Sequence, residues 1–480
     1  MKRIVLCLIL SLLCPVARAE VKLPAIFGNN MVLQQKIACP VWGTADAGED
    51  VSVAIAGQTK TTKADANGKW SVKLDPLEVG QPLKMTITGY KEAIVFDNIL
   101  VGEVWIGSGQ SNMQWSVNGS LNGGNEARTA DFPNIRLVTV PNVSKITPQD
   151  DFNGKWEACT PQNVPGFSAV LFYFGRKLHQ DLNVPVGLIH CSWGGSSCES
   201  WINYEVVAKN PDFAPILERR TNREKEQPQG GDNQQAGYLY NGMLHPIIGY
   251  GIHGVVWYQG ETNAGRAYQY RTLFPTMINN WRDEWKQRGG QETLPFYWVQ
   301  LANFMATQDN PGESAWAELR ESQSRTRSLP QSGQAVIIDI GEADDIHPRN
   351  KRDVGLRLAF LALNNDYGKT QPCESPQFKS VSFDGNKATL TFDFAYDGLM
   401  SRGAAPTGFA IASEDKVFHW ATAEIIGKNT VVVHSPKVAK PVAVRYAWAD
   451  NPIVTLYNSA KLPMDPFRTD DWQGVTVNNH

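Results

Sequence analysis

Six short apolar runs, at 99–106, 135–140, 184–191, 255–258, 296–299 and 336–340, are separated by stretches of helical periodicity. Runs that stay apolar instead of alternating suit strands buried on both faces, the condition of a parallel sheet covered by helices. The stretches between them fit that role. Ala169, Phe172, Tyr173 and Arg176 lie at helical spacing in 168–181, Leu273, Met277, Trp281 and Trp285 form a stripe in 268–288, and Val354, Leu358 and Leu361 do so in 349–366. The expected centre of the chain is therefore a doubly wound α/β domain over 97–370.

At 480 residues the chain exceeds one core, so flanking domains are expected. In 20–96, Val51-Ser52-Val53-Ala54-Ile55 alternates, and Leu83, Met85 and Ile87 alternate with Lys84, Thr86 and Thr88. Asp46-Ala47-Gly48, Gly57 and Asn67-Gly68 punctuate this region, and the Asn-Gly is a hairpin signal. It reads as a small β-sandwich. The β pattern returns in 371–480, as in Ala388-Thr389-Leu390-Thr391-Phe392 and Thr430-Val431-Val432-Val433.

Residues 1–19 read as a signal peptide. Lys2-Arg3 precede an apolar run too short to span a bilayer, and Ala17-Arg18-Ala19 is a small-x-small cleavage site. Leu12 and Leu13 are bulky where a lipoprotein signal ending at Cys14 wants small residues. The expected protein is exported, periplasmic or extracellular, with no membrane span. Export permits disulfides, and Cys191 and Cys198 are near enough in sequence to pair. A net charge of −3 gives no reason to expect nucleic acid or an anionic membrane as partner. The 8 His are scattered and no Cys-x-x-Cys occurs, so no metal site and no cofactor are expected. Nothing in the sequence sets the oligomeric state.

Four segments follow strands of the α/β domain, where open parallel sheets bind ligands. The first is Gly107-Ser108-Gly109-Gln110-Ser111-Asn112-Met113. A Ser opening a helix there has a free N–H aimed at a developing oxyanion. Met113 replaces the second Gly of the Gly-x-Ser-x-Gly elbow. The second, Asp344-Asp345-Ile346-His347-Pro348, holds a His with an acidic residue close before it, as a base and its orienting acceptor require. The third, His190-Cys191-Ser192-Trp193-Gly194-Gly195-Ser196-Ser197, ends a strand in a small-residue loop suited to anion binding. The fourth, Val255-Val256-Trp257-Tyr258-Gln259-Gly260-Glu261, delivers an amide that can donate to an oxyanion. Each alone is also what an ordinary helix start or tight turn looks like; four at the strand ends of one sheet are not.

These segments resemble the blocks of the SGNH hydrolase superfamily, and within it the sialate O-acetylesterase-like family. The family's Gly-Gln-Ser-Asn-Met, Trp-Gly-Gly, Trp-Tyr-Gln-Gly-Glu and Ile-His-Pro blocks stand here at 109–113, 193–195, 257–261 and 346–348, the last followed by Asn350-Lys351. The tail at 456–458 and 466–470 also fits. The resemblance implies a three-layer, flavodoxin-like sheet domain flanked by small β-sandwich domains. It implies a secreted serine carbohydrate esterase acting on O-acetylated sialic acids through an acetyl-serine, without metal or cofactor. Ser111 would be the nucleophile and His347 the base. The N–H groups of Ser111 and of Gly194 or Gly195, with the Gln259 amide, would hold the oxyanion. The superfamily's Asp, three residues before the His, selects Asp344; the subgroup's, two before it, selects Asp345. A turn folding the Asp back onto the ring leans towards Asp344. Glu261, Asn263 and Arg349 are candidate sugar contacts, with Glu199 and Glu261 also readable as loop supports. Glu103, His190 and His253 are expected to be satisfied within or beside strands.

Three other readings remain at this stage. One is an acetylxylan or other polysaccharide acetylesterase. Another is a glycan-binding protein with an idle esterase site, which the pairing of Ser111 with His347 argues against. The third is a two-carboxylate glycosidase using Glu199 and Glu261, which leaves the Ser and His blocks unexplained.

Overall fold

One sixteen-residue strand, Ile94–Gly109, carries the chain from its N-terminal β region into the centre of the main sheet of the computed structural model. The structure describes residues 20–227, 231–291, 293–403 and 405–480, so the expected signal peptide lies outside the described residues. The first part of the long strand pairs antiparallel with Leu83–Thr88. Beyond it, Leu100, Val101 and Gly102 pair in parallel with Val32–Gln34. The last part is flanked in parallel by Val186–Ser192 and Gly254–Tyr258. The expected boundary at 96/97 therefore falls inside a strand. Apolar patterning picked up only its second part, because Val95, Asp97 and Asn98 are exposed while every residue from Ile99 to Gly109 is buried.

Across the main sheet the strands run in the order Ser332–Ala335, Phe296–Val299, Gly254–Tyr258, Ile94–Gly109, Val186–Ser192, Phe132–Thr139 and Glu157–Cys159. All neighbours in this series are parallel except Glu157–Cys159, which is antiparallel at the edge. Helices cover both faces. Trp105 faces the helices Ala169–Leu182 and Lys351–Asn365, with Phe174, Val354 and Leu358 in its core. Ile106, Val255 and Trp257 face the helix Ala267–Gln287 through Phe274, Met277 and Trp281. The alternation is that of a strand buried on both sides.

One expected strand is corrected. The last parallel strand is Ser332–Ala335, and 336–340 lies beyond it. Its apolar residues are buried for another reason: Val336 and Ile338 pack into the core of the C-terminal β region with Leu390, Phe409 and Val444, while Ile337 packs on the helical side. The C-terminal region holds two four-stranded sheets, one containing Lys387–Asp393 and Thr430–His434, the other Phe409–Ala412 and Ala443–Tyr446. It is tied to the main sheet by Arg320, fully buried, which donates to Leu301 O, Ala302 O, Ala449 O and Asp450 O at 2.7–2.9 Å. A guanidinium is the side chain that can satisfy four carbonyls at once.

Two smaller expectations also change. The two-residue hairpin turn is Ala56-Gly57, with φ of 50° and 77°, joining Asp50–Ile55 to Gln58–Lys63. Asn67-Gly68 instead forms a turn closed by Asp65, whose Oδ1 accepts from Asn67 N and Lys69 N, and the strands on either side belong to different sheets. Cys191 and Cys198 stand as separate buried thiols, one in the strand Val186–Ser192 and the other in the short helix Cys198–Trp201. Among the described residues no helix is long and apolar enough to cross a membrane.

Candidate active site

From the central strand the chain moves out on one side to Phe132–Thr139, returns to Val186–Ser192 next to the central strand, and then crosses to Gly254–Tyr258 on the other side. Such a change of direction opens a crevice at the strand's carboxyl end, and Ser111 sits there. The turn demands glycine: Gly109 has φ of 134°, and a Cβ on it would lie 2.1 Å from Tyr258 O. Gln110 then anchors to the adjacent strand through its N–H on Tyr258 O at 3.0 Å. Ser111 begins the short helix Ser111–Gln114, whose Met113 N and Gln114 N return to Gln110 O. The N–H groups of Ser111 and Gly195 make no intramolecular hydrogen bond among the described residues.

His347 arrives from the loop between Ser332–Ala335 and Lys351–Asn365. Its Nε2 lies 2.9 Å from Ser111 Oγ, although the two are 236 residues apart in sequence. Asp345 Oδ1 lies 3.3 Å from His347 Nδ1 and accepts the His347 backbone N–H at 2.8 Å. The lean towards Asp344 is thus overturned. The turn Glu342–Asp345 is closed by Asp345 N on Glu342 O, which leaves Asp344 exposed at its tip and directs Asp345 at the ring. Trp115 stacks on the imidazole, with centroids 4.9 Å apart and planes 16° apart. Patterning did not single out Trp115, because nothing in a lone Trp distinguishes a stacking ring from a core residue.

The Trp-Gly-Gly loop passes directly over the serine. Trp193 N donates to Gly109 O at 3.1 Å, and a Cβ on Gly194 would lie 3.3 Å from Ser111 Cβ. Gly194 N donates to Gln114 Oε1 at 2.8 Å. The loop's outer side is held by Asn233 Nδ2 on Gly194 O and Gln234 Nε2 on Gly195 O.

Other expected site residues lie in the supports. Gln259 is fully buried, its Nε2 hydrogens go to Ser196 O at 3.2 Å and Asn263 Oδ1 at 2.7 Å, and its Oε1 accepts from Tyr270. The expectation that its amide faces the oxyanion is therefore corrected: no donor is left to offer. Asn263 is likewise withdrawn as a sugar contact. It is 1% exposed, accepts from Cys198 N and donates to Glu199 Oε2. Glu199 is buried and bound by Arg266 and Arg219. Burial raises its carboxyl pKa, but Arg266, Asn263 and Arg219 together hold it below the usual carboxylate range. Glu261 Oε1 accepts from Asn112 Nδ2 at 2.6 Å inside the protein, so it too is a support and not a sugar contact. Both carboxylates of the glycosidase reading, Glu199 and Glu261, are thus engaged within the protein. Arg349 is exposed, with its Nε 3.5 Å from Glu342.

A hydroxyl bonded to an imidazole that has a carboxylate behind it can pass its proton to the ring and leave a nucleophilic oxygen. The comparisons with known proteins point to an esterase. The family described as carbohydrate esterase, sialic acid-specific acetylesterase, matches residues 101–362, more than half of the chain. Sialate O-acetylesterases of Homo sapiens and Mus musculus are 29% and 27% identical to it, over 92% of this chain and 90% and 92% of theirs. Among solved structures, a carbohydrate acetylesterase from Xanthomonas citri is 42% identical with a TM-score of 0.85, covering 94% of this chain and 100% of that one. The chain is thus a carboxylic ester hydrolase and belongs to the carbohydrate esterase family of sialic acid-specific acetylesterases.

Proposed function

We propose that this esterase is exported and removes O-acetyl groups from sialic acids through an acetyl-serine intermediate. The observation that carries the reading is the 2.9 Å contact of Ser111 Oγ with His347 Nε2. Ser111 Oγ attacks the acetyl carbonyl carbon while His347 Nε2 takes its proton, and Asp345 stabilises the imidazolium. The oxyanion accepts from the N–H groups of Ser111 and Gly195. Gly194 N–H joins them by exchanging Gln114 Oε1 for the anionic oxygen, a stronger acceptor than a neutral amide. Collapse breaks the bond between the acyl carbon and the sugar oxygen, and His347 passes its proton to that leaving oxygen, which departs as the sugar hydroxyl. Water activated by the same ring then releases acetate and restores Ser111.

The substrate class rests on the curated relatives, which are sialate O-acetylesterases. Arg349, exposed two residues after His347, suits the carboxylate of a sialic acid. Setting aside Phe132–Thr139 and the edge strand, the remaining five parallel strands follow the order second, first, third, fourth, fifth, which supports an SGNH-type, flavodoxin-like centre. The division at 20–96, 97–370 and 371–480 is kept as a division along the chain, although the first two segments share a strand and one apolar core.

Acetate release should be measured from O-acetylated sialosides and from acetylated xylan, with wild type and Ser111→Ala. The reading expects preference for the sialosides and loss of all turnover in a folded Ser111→Ala. Preference for xylan would replace the substrate, and an active Ser111→Ala would remove the mechanism.

A further inference from the structure

Behind the Ser–His pair lies a buried lysine that the proposed mechanism does not use. Lys351, the first residue of the helix Lys351–Asn365, is 0% exposed. Its Nζ lies 5.4 Å from the centre of the Tyr258 ring and 5.9 Å from that of Trp115, and it donates to Asn112 Oδ1. Asn112 is the residue after the nucleophile and is 1% exposed. Its Nδ2 donates to Glu261 Oε1 at 2.6 Å and to Ile346 O at 3.0 Å. Ile346 is the residue before the base. A single amide therefore joins the segment that carries Ser111, the loop that carries His347, and the segment following the strand Gly254–Tyr258.

The two charged residues decide how that amide sits. A cation at the carbonyl end and a carboxylate at the amino end favour one orientation, and the reverse would put like against like. Lys351 and Asn112 are both buried, so bulk water does not compete for either end of the amide. Only in the observed orientation does a second N–H remain for Ile346 O. Burial lowers the Lys351 ammonium to about 7, with Glu261, Asp345 and Glu342 acting against that fall. Burial likewise raises the Glu261 carboxyl, opposed by hydrogen bonds from backbone and Asn112 and by Lys351. Two buried charged groups joined through one amide are costly to separate by removing only one of them.

We propose that Lys351 and Glu261 are positioning residues, which act through the Asn112 amide to hold Ser111 and His347 in register for acyl transfer. The proposal rests on the Ser–His reading of the site and concerns its geometry, not its chemistry. Neither residue touches the reacting atoms.

Kinetics on p-nitrophenyl acetate with Lys351→Met and Glu261→Gln test it, beside Ser111→Ala. Loss of register should lower kcat roughly ten- to a hundredfold, since small misplacements of reacting groups carry penalties of that order. KM should stay within about twofold, because ground-state binding is untouched. Either single variant leaves a buried partner unpaired and can fail to fold, so the double variant Lys351→Met/Glu261→Gln is the decisive one. It removes both charges together, which proteins tolerate far better. A double variant with near wild-type thermal stability and depressed kcat supports positioning. A folded variant, single or double, with wild-type kcat overturns it and makes the pair a stability device alone. Activity in Ser111→Ala would instead remove the Ser–His reading, whereas an inactive Ser111→Ala beside fast Lys351 variants removes only the positioning role.

Discussion

The carboxylate of Asp345 meets His347 twice: Oδ1 lies 3.3 Å from the ring Nδ1 and accepts the backbone N–H at 2.8 Å. One side chain thereby holds the loop's shape and lies beside the ring. A proton on Nδ1, facing that carboxylate, would leave Nε2 as the acceptor for Ser111.

Asp345→Asn should therefore lower kcat/KM by about 10², less than the ~10⁴ known where the orienting Asp of a serine triad is sealed from water. The Asp345 side chain is 46% exposed, so water can take part of its place. Asp344→Asn should be close to neutral. Steady-state assays of both variants decide the matter, and near-full activity in both would make the site a Ser–His dyad.

Gln259→Ala should act on stability first. The substitution orphans Tyr270 Oη and takes a donor from Ser196 O, and each buried polar group left unpaired costs about 1–3 kcal/mol. The thermal midpoint should drop by several degrees, with kcat reduced only as far as the loop at 193–197 loosens. A kcat loss of about 10²–10³ at unchanged melting would instead make Gln259 an oxyanion donor after all.

Farther back along the central strand, Glu103 Oε2 lies 2.9 Å from His253 Nδ1 and accepts from Tyr367 at 2.7 Å. Burial raises the Glu103 carboxyl, but His253, Gln35 and Tyr367 outweigh it and hold it at about 2. Burial lowers the His253 imidazole, but Asp366 and Glu103 outweigh that and lift it to about 9. Glu103 thus stabilises the fold fully above its ordinary 4.5 and loses that contribution as pH falls through about 2. His253 does so fully below its ordinary 6.5 and loses it as pH rises through about 9. The difference in melting temperature between wild type and Glu103→Gln should consequently be large near pH 6 and shrink at about pH 10. A difference that stays constant over that range would mean the ion pair contributes nothing.

The order of helices and parallel strands was legible in the sequence because burial on both faces of a strand and on one stripe of a helix writes itself into local periodicity. Ser111 and His347 were legible for a related reason: each sits in a short segment whose glycines or carboxylates make chemical sense without knowing the partner. Other features depended on directions and distances that periodicity does not carry. Asp344 and Asp345 are equivalent as letters, and only the closed turn at Glu342 aims the second at the ring. Gln259 lies on the expected strand end, yet its amide is consumed by Ser196 and Asn263. The apolar 336–340 segment is buried by a β region that begins decades of residues later, and so imitates a strand. Lys351 gave no sign of burial at all, since a lysine enters a core only where the tertiary structure gathers an amide, a carboxylate and two aromatic faces around it.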